Sequence, residues 1–198
     1  MPGLEEVLHY LKGVWLLICR KEEGYRFLDF TNQGVARSFW ALGLSLPFMF
    51  VGWMWARELY LLTPPCPPDP GAILYFRFFM IDMAAWFTPL LLLIGFSILT
   101  RLENFFAATV VTTNWLALPF SALIAAIAVL EILFPQASGL WAFLWLFHFI
   151  GGFVCLYLLL STIYQGQTLI AVAVTGIMVV PGFLMAKSLQ SFLGIIFH

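Results

Sequence analysis

The sequence predicts an all-α fold, a polytopic membrane bundle of five transmembrane helices with an N-terminal interfacial amphipathic helix, and three observations carry that reading. Of 198 residues, 63% are hydrophobic and 10% charged, with a mean hydropathy of +0.99, whereas soluble domains carry about 25% charged residues. A water-soluble core cannot absorb that much apolar surface. Residues 104–134 run without one basic side chain; as a helix they cover about 45 Å at about 1.5 Å per residue, more than the ~30 Å hydrocarbon core of a bilayer. Four further apolar stretches flank this one. Eight tryptophans and 21 phenylalanines suit the aromatic belts of membrane interfaces.

Taken in order, the apolar residues Leu4, Val7, Leu8, Leu11, Trp15 and Ile18 follow helical spacing opposite Glu5, His9 and Lys12, which predicts an interfacial helix with Trp15 at the headgroup level. Its apolar run at 14–19 is too short to span. Glu5 and Glu6 precede any hydrophobic run, which argues against a cleaved leader. Residues 20–37 hold much of the charge together with the turn residues Gly24, Asn32 and Gly34, and are expected to form a cytoplasmic lead-in with a helix from about Thr31. The domain organisation is therefore an amphipathic helix and lead-in at 1–37, a five-helix domain at 38–187, and a tail at 188–198.

The spans are expected at 38–55, with Pro47 in the middle and Arg57 and Glu58 beyond its far end, and then at 73–99, 104–134, 140–164 and 168–186. The first two are joined by 63–71, whose five prolines favour an extended loop. Five crossings put the chain ends on opposite sides. Lys12, Arg20, Lys21, Arg26, Arg37 and Arg101 fall on one side, and Arg57, Arg77 and Lys187 on the other, so the charge bias places the N-terminus inside. The localisation expected is a bacterial inner membrane, with the C-terminus outside. Trp40 with Pro47, Trp86 with Pro89 and Trp115 with Pro119 each share a helix face, as expected of ordinary kinked spans.

Nine basic and ten acidic residues with no long run of either sign exclude a nucleic-acid surface. Cys19, Cys66 and Cys155 lack C-x-x-C spacing, so neither a disulfide nor a metal site is expected. The chain holds no G-x-S-x-G, H-E-x-x-H, Walker or dinucleotide motif, and no enzyme activity or cofactor is expected.

Ionisable groups inside spans are the best functional pointers, because each costs about 2.5 to 3.5 kcal/mol at a span centre on insertion scales. Asp82, Glu131 and His148 all fall in the outer third. Two readings stand for them: with Arg77 they converge in a polar pocket open to the outside, or they are separate headgroup-reaching and packing residues. Asn114 is expected to make interhelical hydrogen bonds beside Thr112 or Thr113, as are Gln165 and Gln167. Ala117, Ser121, Ala125 and Ala128 continue its face as a small-residue packing stripe, and Thr168, Ala171, Thr175 and Gly182 do the same in the last span. Trp15, Arg20, Lys21, Arg26 and Arg37, with Phe27, Phe30 and Phe39, make the lead-in either a membrane-surface docking strip or a passive linker.

Phe27, Asp29, Gly34, Ser38, Phe39, Pro47, Asn114 and Trp115, set in a short amphipathic start and five spans, resemble the small bacterial Yip1-like membrane proteins. The D-L-Y-G-P-type signature of the eukaryotic trafficking members is absent. The resemblance implies a non-enzymatic integral membrane protein. Two functional classes follow: a protein that organises membrane or binds a partner membrane protein, or a small transporter or transporter subunit with a site near Asp82 and His148. The partners expected are the lipid bilayer and another membrane protein or a second copy of the chain.

Overall fold

The computed structural model describes residues 2–62 and 70–195. The proline-rich loop lies outside the described residues except for Pro70 and Gly71, as do Cys66 and the last three residues of the tail. The elements are α1 (Leu4–Ile18), a 3₁₀ turn (Glu22–Phe27), α2 (Asn32–Ser38), α3 (Trp40–Leu62), α4 (Ala72–Thr100), α5 (Glu103–Leu133), α6 (Ser138–Ile163) and α7 (Thr168–Phe192), with no strand among the described residues. Among the described residues five helices are long and apolar enough to cross a membrane, the first being α2 and α3 taken together as Asn32–Leu62. The protein is a multi-pass, all-α membrane bundle. Its N-end holds α1 and the α4–α5 and α6–α7 turns; its C-end holds the α5–α6 turn and the end of α7.

Helix α5 is the centre of the bundle, packing against α1, α2, α3, α4 and α6. Its residues Thr109 to Leu116 are buried on every face. Helices α4 and α7 form the other close pair. A Cβ placed on Gly182 would come within 2.8 Å of the Ala85 carbonyl oxygen, so only glycine lets the two backbones approach this closely.

Two helix ends differ from the sequence expectation. The first span continues to Leu62, because Arg57 and Glu58 pair with each other at 2.8 Å inside the helix and neither is a helix breaker. Helix α7 continues to Phe192, which puts Lys187 inside the helix; Gly194, at φ 71°, is the first residue beyond it that turns the chain. A lysine carries a long apolar stem and is a good helix former, so it does not end the helix.

The larger difference concerns the first 37 residues. Helix α1 buries Val7, Tyr10, Val14 and Leu17 against the bundle, while Leu4 and Trp15 remain 75% and 63% exposed. It thus has one apolar face for protein and another for its surroundings. Thr162 Oγ1 donates to the Leu17 carbonyl at 2.9 Å, and the Tyr25 hydroxyl donates to the Thr162 carbonyl at 3.2 Å. The lead-in folds back on α1, where Gly13 and Gly24 meet so closely that a Cβ on Gly24 would lie 2.6 Å from the Gly13 oxygen. Phe27 covers α1, with its ring 4.7 Å from that of His9 and under the Lys12 ammonium at 4.8 Å. Phe30 packs on Tyr25 and Phe39 on Phe87. The three phenylalanines therefore pack within the chain, and the lead-in is folded against α1 rather than a slack linker, with Trp15, Arg20, Lys21, Arg26 and Arg37 left exposed.

Candidate functional site

Among the described residues the predicted site residues fall into polar clusters at the two ends of the bundle. At the N-end, Trp86 Nε1 donates to Asn114 Oδ1 at 3.2 Å, Asn114 Nδ2 donates to Ser38 Oγ at 2.9 Å, and the Ser38 hydroxyl donates to the Val35 carbonyl at 2.7 Å. This chain of bonds joins α4, α5 and α2. Asn114 is 1% exposed and Ser38 0%, so the centre of the network is shielded, while Trp86 and Val35 at its ends are half-buried. Ser38 meets α5 about 16 Å from Glu103 at about 1.5 Å per residue, which means that the junction of α2 and α3 lies well down the length of α5. Helix α1 fills that side of the bundle: Tyr10 stacks on Trp115 with ring centres 4.8 Å apart. Asn114 thus makes the interhelical bonds expected of it. Thr112 and Thr113 do not, since each donates to a carbonyl one turn back in its own helix at 2.7 Å. Gln165 and Gln167 are exposed in a turn.

Electrostatics at the N-end follow from this packing. Burial raises the Tyr10 hydroxyl above the usual tyrosine value, helped by Glu6, whose carboxylate accepts a hydrogen bond from it at 2.9 Å. Burial likewise raises Tyr25. Asp29 is held below the usual carboxylate range, first by the Thr31 backbone N–H that donates to it at 2.9 Å. Arg37 faces Glu6 at 3.7 Å, so its first partner is a carboxylate of α1. Arg20, Lys21 and Arg26 are exposed. The outer face of α1 forms an apolar groove of about 520 Å³ with Pro119, Phe120 and Leu123.

At the C-end, Trp53, Trp55, Asp82, Ser121, Trp145 and Lys187 line a cavity of about 480 Å³ that all five spans border. Trp53 Nε1 donates to Asp82 Oδ2 at 2.6 Å. Among the described residues Asp82 has no other hydrogen-bond partner, which leaves its second oxygen for the cavity. The Trp55 and Trp145 rings lie 5.0 Å apart. Trp145 Nε1 donates to Glu131 Oε2 at 2.8 Å, and its ring meets His148 edge-on at 6.4 Å. His148 also abuts Phe120 at 5.4 Å, and its Nδ1 is buried without a hydrogen-bond partner.

The four predicted pocket residues therefore share one site only in part. Asp82 lies in the cavity wall, and Glu131 and His148 reach it through Trp145. Arg77 does not take part: its guanidinium donates to the Leu193 carbonyl at 3.1 Å and so satisfies one of the free carbonyls at the end of α7. On the small-residue stripe, Ala125 and Ala128 are buried within the chain and Ala117 and Ser121 half-buried, with the Ser121 hydroxyl donating to the Ala117 carbonyl at 2.9 Å. In α7, Ala171, Thr175 and Gly182 are buried and Thr168 is exposed.

Trp53, Trp145 and Lys187 were not singled out by sequence. A tryptophan in an apolar run reads as an interface anchor, and periodicity within one helix does not say which carboxylate on another its N–H will meet. Cys19 and Cys155 are free thiols. No protein-family model, curated protein or solved structure matches the chain.

Proposed function

We propose that this is a non-enzymatic inner-membrane protein of Yip1-like type that organises membrane or holds a partner membrane protein, with its N-end in the cytoplasm. The observation that carries the reading is the bonded N-terminal platform. Leu4, Leu8 and Trp15 stay exposed on a helix fastened to α5 and α6, next to the apolar groove, with Arg20, Lys21 and Arg26 exposed in the same unit. A rigid platform of this kind holds apolar and cationic contacts ready, which lowers the ordering cost of association. Reversing Arg20, Lys21 and Arg26 to glutamate tests it in mild detergent. Loss of co-purifying anionic lipid or membrane protein, with the melting temperature unchanged, is expected; undiminished co-purification overturns the reading.

A second reading, a transporter subunit, is favoured by the carboxylate on a cavity wall inside the membrane, since intramembrane ionisable groups mark solute and proton paths. Five spans are few for complete alternating access, so such a protein works as an oligomer or with a partner. A cysteine at Met49 or Ala56, in a background without native cysteines, reacts from the C-end with a water-soluble thiol reagent if this reading holds. A protected cysteine at both positions removes it.

A further inference from the structure

We propose that the C-end cavity binds a small zwitterion, with its ammonium on Asp82 and its anionic end on Lys187. The inference rests on the second reading above, that the cavity admits a solute.

Opposite charges border one cavity at nearly one level. Gly182 packs against Ala85 on the antiparallel α4, so Asp82 lies level with Met185, and Lys187 lies about 3 Å nearer the C-end at about 1.5 Å per residue. Yet no ion pair joins Asp82 to Lys187; the ion pairs among the described residues are Arg37 with Glu6 and Arg57 with Glu58. A carboxylate in a span needs a counter-charge, and one indole N–H supplies only a hydrogen bond.

The walls select the class of cation. Trp53, Trp55 and Trp145 border the cavity, and indole faces attract organic ammonium groups. Among the described residues no group of three His, Cys, Asp or Glu is placed to hold a metal ion. A simple cation would meet repulsion from Lys187, and a simple anion would meet it from Asp82; a molecule with both charges meets neither. Ser121 offers its oxygen to the ammonium, and Gln190, which also borders the cavity, offers its amide N–H groups to the anionic end. The volume of about 480 Å³ lies in the usual range for small-molecule sites.

The test is thermal unfolding of the full chain in detergent. β-Alanine and phosphoethanolamine are the zwitterionic probes, and ethylamine and propionate the singly charged controls. A saturable rise in melting temperature with at least one zwitterion and with neither control is expected. Asp82→Asn and Lys187→Gln should each weaken that response at least tenfold. Absence of a shift with both zwitterions, or a shift that survives in both variants, overturns the proposal. So does an internal Asp82–Lys187 pair, revealed when each variant destabilises the ligand-free protein and the double variant is no worse than either. Thiol labelling separates the two levels: a wet cavity without a zwitterion response removes the ligand class alone, and a dry one removes both. Nanodiscs of phosphatidylethanolamine against phosphatidylglycerol distinguish the sources. Suppression of the phosphoethanolamine shift by phosphatidylethanolamine assigns the site to a lipid headgroup, and equal shifts assign it to a free solute.

Discussion

The two polar clusters start from the same pairing, a tryptophan N–H donating across a helix interface, and end differently. At the N-end the acceptor is the Asn114 amide, and at the C-end it is the Asp82 carboxylate. An amide both accepts and donates, so Asn114 passes the chain on to Ser38 and the network closes. An ionised carboxylate only accepts; with one donor on it, Asp82 keeps an oxygen turned to a cavity. The comparison teaches that a closed neutral network serves architecture, whereas an open charged one keeps capacity for something from outside the chain.

The largest effect should come from breaking the closed side. Trp115→Ala removes the ring on which Tyr10 stacks, and a large-to-small change at a buried tryptophan costs about 3 to 5 kcal/mol. Detergent unfolding should show that loss, with faster proteolysis within residues 2–37. Asn114→Ala should cost about 1 to 3 kcal/mol, because it removes a buried amide that bridges the half-buried Trp86 N–H and the buried Ser38 hydroxyl. On the open side Asp82→Asn keeps an acceptor for Trp53 and removes a charge from the membrane, so its unfolding midpoint should equal or exceed that of the parent. A loss as large as that of Asn114→Ala would erase the contrast between the clusters.

The smallest effect is in pH. The folded pKa of Asp29 is depressed by the Thr31 N–H, so its contribution is present above the unfolded value of about 3.9 and fades as pH falls through the lower folded value. Tyr10 and Tyr25 have raised values, so what they contribute is complete below about pH 10 and fades as pH rises through their folded values. Hydrogen-exchange protection in residues 2–37, the observed rate divided into the intrinsic rate at each pH, should therefore be greatest between those limits. Protection unchanged from pH 3 to 5 in the native protein and in Asp29→Ala alike would remove the acid branch.

Of the residues grouped by helix face, some are buried and others are not: Thr168 is exposed, and Ala117 and Ser121 are half-buried. Asn114 sits on the face from which Ala125 and Ala128 are also buried, and Ala171, Thr175 and Gly182 are buried along α7. Which partner a residue meets on another helix was less legible. Arg77, grouped with Asp82 by depth, turns to the end of α7 because guanidinium reach and rotation, not depth, choose its acceptor. Phe27 and Phe30 read as surface aromatics because nothing local shows that Gly13 and Gly24 let the chain fold back.

By itself, the sequence determined the five spans, the interfacial periodicity of α1 and the presence of acids and an imidazole at membrane depth. Each of these depends only on hydrophobicity and on the 3.6-residue repeat of one helix. The tertiary structure alone decided that α1 is fastened to α5 and α6, that Trp53 and Trp145 hold the two carboxylates, and that Lys187 shares a cavity with Asp82. Those pairings depend on the rotation and relative height of helices about their axes, which packing sets through contacts between residues far apart in the chain.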